Sequence, residues 1–60
     1  MTDSEAQIAL IREFPEWLVC RGTSGLPAAR WHSRPGVTVT GEDWADLRDE
    51  IIAAIWKAQP

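Results

Sequence analysis

The chain has 60 residues and a formal net charge of −3, so it has room for one domain with one small core. A domain of that size is marginal without a staple or a partner, and Cys20, the only cysteine, excludes an intrachain disulfide as the staple. The acidic balance argues against nonspecific nucleic-acid binding. No apolar run is long enough to span a bilayer, and no charged start with an apolar h-region reads as a secretory signal. A lone cysteine fits a reducing compartment. The expectation is a cytoplasmic protein in which residues 1–60 form a single α+β domain.

Residues 1–14 read MTDSEAQIALIREF. Thr2 with Glu5 and Ser4 with Gln7 are overlapping capping boxes, and Ile8, Leu10, Ile11 and Phe14 recur at helical spacing. Pro15 removes an amide and disfavours helical geometry at Phe14, so the helix should stop there. Residues 16–21, EWLVCR, are rich in aromatic and β-branched types and predict a strand. Gly22-Thr23-Ser24-Gly25 is a turn cluster, and residues 26–33, LPAARWHS, predict the return strand. Pro27 stands at its start, where a missing amide is tolerated. After the turn signal Arg34-Pro35-Gly36, residues 37–40, VTVT, alternate as a third strand.

Residues 40–58, TGEDWADLRDEIIAAIWKA, carry the strongest helical pattern. Thr40 lies three residues before Asp43, as in a capping box. Glu42, Asp43 and Asp46 favour the positive end of the helix dipole. Trp44, Leu47, Ile51, Ala54, Ile55 and Ala58 make one apolar stripe that should face the core. The predicted fold is therefore α+β in the order α-β-β-β-α, a three-stranded antiparallel sheet packed on the C-terminal helix. A buried, unpaired Arg30 would be too costly, so Ala29 and Trp31 should face inward and Arg30 outward. Val37 and Val39 should face inward, and so should Trp17 and Val19, although a one-residue slip would reverse the first strand.

Little in the sequence points to catalysis. His32 is the only histidine, with no second histidine, cysteine pair or Ser-His-acid spacing to make a metal site or triad. Cys20 could act as a nucleophile only with a base beside it, and His32 is the only candidate. Gly22 and Gly25 lie in a hairpin turn, not at a strand-to-helix junction that could cradle a phosphate. The expectation is a protein that is not an enzyme and takes no cofactor or metal.

Charge falls in three blocks. Residues 1–20 carry four acids against Arg12, residues 21–41 three arginines and no acid, and residues 42–60 five acids against Arg48 and Lys57. A basic middle between acidic ends reads first as complementarity within the fold. It also allows a nucleic-acid face built from Arg21, Arg30, His32 and Arg34. The element order resembles that of double-stranded-RNA-binding domains, which bring lysines to the start of the last helix to meet phosphates. Here that start is Glu42, Asp43 and Asp46, of the opposite sign.

The pattern F-P-x-W-x-V-x-R, A-R-W and D-L-R-x-x-I is carried by Phe14, Pro15, Trp17, Val19, Arg21, Ala29, Arg30, Trp31, Asp46, Leu47, Arg48 and Ile51. It resembles small uncharacterised actinobacterial proteins in which a tryptophan-containing hairpin precedes a D-L-R-x-x-I helix. The resemblance implies no activity and a loose association with small regulatory loci.

The functional expectation comes from what the last helix has left over. Ala45, Ile52 and Trp56 form a second apolar strip, with Arg48 between the two strips reaching its head toward an acid. The first helix could cover that strip through Ile8, Ile11 and Phe14. Otherwise the strip binds a second copy or a partner protein. The leading expectation is a regulatory or accessory protein-interaction module acting as a homodimer or with a protein partner. The alternatives are a nucleic-acid binder using the arginine-bearing sheet face and a small-ligand binder with a tryptophan-lined cleft.

Overall fold

A computed structural model describes residues 2–58 of the chain. Met1, Gln59 and Pro60 lie outside the described residues. Helix α1 (Asp3–Glu13) starts where the Thr2 hydroxyl accepts the Glu5 N–H at 3.2 Å, one of the two expected capping boxes. It ends before Pro15, with Phe14 outside helical geometry and its N–H still donating to the Leu10 carbonyl. Strands β1 (Trp17–Arg21), β2 (Pro27–Trp31) and β3 (Thr38–Thr40) then form an antiparallel sheet in the order β1-β2-β3. Helix α2 (Trp44–Ala58) closes one face. The order α-β-β-β-α and the helix-on-sheet packing are those expected from the sequence.

The pairing fixes the faces. Trp17 opposes Trp31, Val19 opposes Ala29, and Ala29 opposes Val39 on the covered side. Leu18, Arg30 and Thr38 form one row on the open side, and Cys20, Ala28 and Thr40 form the next. Trp17, Val19, Ala29, Leu47, Ile51 and Leu10 are buried, with Phe14, Trp31, Val37, Val39, Trp44, Ala54 and Ile55 packed around them. Trp17 and Trp31 stack with centroids 5.0 Å apart and planes 17° apart, so the two largest side chains of the hairpin support one another. The hairpin turn needs one glycine, Gly25, for its φ of 85°.

Three expectations change. Strand β2 stops at Trp31, so His32 lies in the turn that follows, its N–H donating to the Glu16 carbonyl at 2.8 Å. Thr40 does not cap α2; it is the last residue of β3. The cap is Asp43, whose carboxylate accepts the Asp46 N–H at 2.8 Å, while the Asp46 carboxylate reaches back to the Glu42 N–H at 3.0 Å. The chain needs Gly41, Glu42 and Asp43 to turn from the sheet onto its own face, which shifts the helix start by one turn.

The third change concerns α1. Ile8 and Ile11 are 49% and 43% exposed, and only Leu10 of the apolar set is buried. Ala6, Ala9, Leu10 and Glu13, spaced i, i+3, i+4 and i+7, border α2 instead. Leu10 and the C-cap residue Phe14 are the side chains of this segment that reach the core, and the alanines border a groove between the helices.

Candidate interaction face

Leu47 and Ile51 are the two fully buried large side chains of α2, and they point into the sheet. Taking Ala45 as zero at ~100° per residue, Ile52 and Trp56 fall within ~20° of it, on the side of α2 away from Leu47. The second apolar strip is therefore a real line on the helix. Ala45 is exposed, Ile52 is half-buried, and Trp56 is 70% exposed. Since Ile8 and Ile11 are themselves exposed, they do not cover it.

What α1 does cover is the neighbouring flank. Arg48 donates from Nε and Nη2 to the two carboxylate oxygens of Glu13, both at 2.9 Å, a bidentate clasp between the helices. This is the acid toward which the arginine head was expected to reach. The hydrogen bonds from Arg48 hold the Glu13 carboxyl below the usual glutamate range; partial loss of solvent opposes them, and the charge of Arg48 adds a smaller lowering. The same contact holds the Arg48 guanidinium more firmly protonated. Glu13 therefore contributes stability that is present above the ordinary glutamate pKa and is lost as pH falls through its depressed folded value. Both side chains are more than two-fifths exposed, so the effect is modest. Glu13→Gln is expected to flatten the acid limb of a melting-temperature-against-pH curve and to leave the neutral region within a few degrees. An acid limb identical to that of the parent refutes a stabilising clasp.

Beside the clasp, Ala6, Ala9, Leu10, Trp44 and Ala45 line an apolar groove of about 280 Å³ between α1 and α2, with Glu13 and Arg48 at its border. Its mouth adjoins Ala45, so groove and strip are continuous on one side of the molecule.

The basic residues do not gather on one face. By strand alternation Arg21 belongs with Trp17 and Val19 on the covered side. It donates to Asp3 at 2.9 Å and to the Gly25 carbonyl at 2.8 Å, and its guanidinium lies 5.5 Å from the Trp44 ring centroid. Arg34 lies over the Trp31 ring at 5.5 Å. Arg30 alone stands on the open sheet face, between Leu18 and Thr38, and makes no ion pair among the described residues. His32 borders a shallow depression with Glu16 and Leu18. Cys20 is exposed on the open face. Among the described residues no three His, Cys, Asp or Glu side chains converge.

A cleft of about 300 Å³ is lined by Phe14, Pro15, Trp17, Trp31 and Ile55, with Glu13 and Glu16 also bordering it. The two indoles stack on each other, and Arg34 also lies over Trp31, so little aromatic face is left for a ligand. The Trp31 indole N–H is buried without an acceptor among the described residues, a cost of about 1–3 kcal/mol for such a donor. Among the described residues no helix is long and apolar enough to cross a membrane.

The residues missed by periodicity are Ala6 and Ala9, which shape the groove; their i, i+3 spacing around Leu10 is the signal that marks them. No family model matches the chain, and neither a curated protein nor a solved structure matches it.

Proposed function

We propose that the chain is a non-enzymatic protein-interaction module, a regulatory or accessory component that works through the Ala45–Ile52–Trp56 strip of α2. One observation carries the reading: Trp56 is 70% exposed on a helix whose core-facing stripe is already satisfied by Leu47 and Ile51. A tryptophan so placed adds nothing to the fold, and solvating its ring is unfavourable. Tryptophan is enriched at the anchoring centres of interfaces, where a few residues carry most of the binding energy. Ile52, one turn before it, and the groove at Ala45 extend the apolar surface toward the start of α2. A cover over this strip would also supply apolar burial that a chain of this size lacks.

The test is native mass measurement of the tagged protein drawn from its own cell lysate. The wild type is expected to travel with added mass, either a second copy or another protein. Trp56→Glu is expected to lose that mass while keeping its circular dichroism and melting temperature, since the residue lies outside the core. A wild type that travels alone, or a variant that keeps its companion, refutes the reading.

A further inference from the structure

We infer that the outer edge of β3 is a second docking site, which takes an extended segment of a partner protein as a fourth, antiparallel strand, with the acidic residues of that segment at the Arg34 and Lys57 end. The site is separate from the Ala45–Ile52–Trp56 strip, and its test is independent of it.

The sheet has two edges, and the chain treats them differently. On β1 the Trp17 N–H donates to the Phe14 carbonyl at 3.0 Å, and the Gln7 side chain donates to the Val19 carbonyl at 3.3 Å, so α1 and the residues after it engage that edge. On β3 the pairing runs the other way. The Trp31 N–H donates to the Val37 carbonyl and the Gly41 N–H to the Pro27 carbonyl, both at 3.0 Å, so residues 37, 39 and 41 turn their backbone groups toward β2. The N–H and C=O of Thr38 and Thr40 therefore point outward, at the spacing that one antiparallel strand satisfies. Edges meant for solvent are blunted by a charge, a proline or a bulge. Residues 37–40 carry none of these, and all four are β-branched.

A pocket of about 280 Å³ opens beside this edge, lined by Val37, Ala54 and Ala58, with Arg34 and Lys57 also bordering it. It lies on the side of Val37 away from β2, since Trp31, the β2 neighbour of Val37, lines a different cleft with Phe14 and Ile55. In strand addition the backbone bonds supply affinity and such a pocket selects one side chain. Charge sets the direction. Arg34 and Lys57 are in no ion pair among the described residues. The Arg34 guanidinium lies over the Trp31 ring at 5.5 Å, and stacking leaves its in-plane N–H donors free for a carboxylate. Helix α1 packs on β1 and α2 on β2 and β3, so the flank of α2 opposite the Arg48–Glu13 clasp overhangs the β3 edge. At ~100° per residue that flank carries Asp46, Glu50 and Lys57. The chain reverses through residues 41–43, which puts Asp46 and Glu50 toward the Thr40 end and Lys57 at the Val37 end. Acids are repelled from one end of the edge and drawn to the other. An antiparallel strand runs toward the Val37 end, so its acids follow the side chain that fills the pocket.

The probe is a phage-displayed library of random octapeptides panned on the wild-type chain. Enriched peptides are expected to carry an apolar residue followed by acids on its C-terminal side. One of them, synthesised with both ends blocked, is expected to shift the amide resonances of residues 37–41 and 54–58. Thr38→Pro removes an outward N–H and no bond to β2, and is expected to weaken binding at least ~10-fold. Arg34→Glu combined with Lys57→Glu is expected to weaken it by ~10-fold or more. Methylation of the peptide amides that face β3 puts the same question to the wild type, so the answer does not depend on the folding of a variant. Trp56→Glu is expected to bind the peptide like the parent. A library that yields no enriched sequence, or sequences without acids, overturns the site. So does a peptide whose binding survives both Thr38→Pro and amide methylation, or one that Trp56→Glu loses.

Discussion

Gly41→Ala is expected to remove a large share of the stability of the domain. Gly41 is buried at the corner where β3 hands over to α2, and its N–H donates to the Pro27 carbonyl at 3.0 Å, which prolongs the β2–β3 ladder. A Cβ at this position would overlap the Leu47 amide nitrogen and stand 2.8 Å from the Leu47 Cα and 3.0 Å from the Asp46 carbonyl carbon. These are backbone atoms of the first helical turns and cannot rotate aside. Relief requires the helix to lift from the sheet, and with it Leu47 and Ile51. Overpacking typically costs about 1–3 kcal/mol, and the upper end applies here because the clash is with backbone. A chain of this length holds only ~3–9 kcal/mol in total at 0.05–0.15 kcal/mol per residue. The conformation at Gly41 is not left-handed, so the effect belongs to space and not to backbone freedom. Gly36→Ala is the control: a Cβ there meets nothing within 4 Å, and the variant should melt with the parent. Urea unfolding of both variants decides the matter, and a Gly41→Ala midpoint close to that of the parent sinks the argument.

Leu47→Ala is expected to cost ~2–5 kcal/mol, the range for deleting a fully buried leucine where the surroundings cannot collapse. Leu47 is 0% exposed and lies among Val19, Ala29, Ile51 and the hairpin tryptophans. Collapse is hindered because the backbone of this residue is already fixed. Its N–H donates to the Asp43 carbonyl at 2.9 Å, and Gly41 packs against its amide. Leu47→Met, which conserves volume, should cost less than ~1.5 kcal/mol. Thermal melts of the pair separate the loss of volume from the loss of the residue. A Leu47→Ala variant that melts within a degree or two of the parent would mean that the helix presents another face to the sheet.

The parts of the fold that were legible in the sequence are those set by local pattern plus one burial argument. Placing Arg30 outward fixed the face of β2, and alternation then placed Ala29 and Trp31 beneath α2, with Trp17 and Val19 opposite them in the register found. Pro15 ended α1 because its effect is local and steric. The cap of α2 was misplaced because two residues, Thr40 and Asp43, satisfy the same three-residue spacing. The choice between them depends on how closely Gly41 approaches the helix, which is a tertiary fact. The periodicity of α1 named four apolar residues, of which Leu10 and Phe14 reach the core and Ile8 and Ile11 do not, because the helix meets the sheet along one narrow line. The candidate strip on α2 was legible, since Ala45, Ile52 and Trp56 are one helix line. Its exposure was not, because that depends on Arg48 finding Glu13 from 35 residues away. The arginines of the middle segment were grouped by sequence alone. The structure divides them, with Arg21 turned to Asp3 and Trp44, Arg34 to Trp31, and Arg30 to the open side.

The strands are arranged in the sheet in the order in which they occur along the chain, and this governs how the domain is reached from the unfolded state. Each strand pairs with its immediate successor across a short turn, so little loop entropy is lost before the pairing begins to be rewarded. Chains built from such neighbour-to-neighbour pairing fold at the fast end of the range for mixed structures. The hairpin, its stacked tryptophans, β3 and α2 are contiguous along the chain. The link from α1 to α2, by contrast, spans most of the chain, through Leu10 in the shared core and the exposed Arg48–Glu13 ion pair. Helix α1 is tied to the hairpin as well, since Leu10 enters the core, Gln7 donates to the Val19 carbonyl at 3.3 Å and Arg21 donates to Asp3 at 2.9 Å. Docking of α1 is therefore the step that closes the longest loops of the chain, and the part of folding that short-range pairing does not speed.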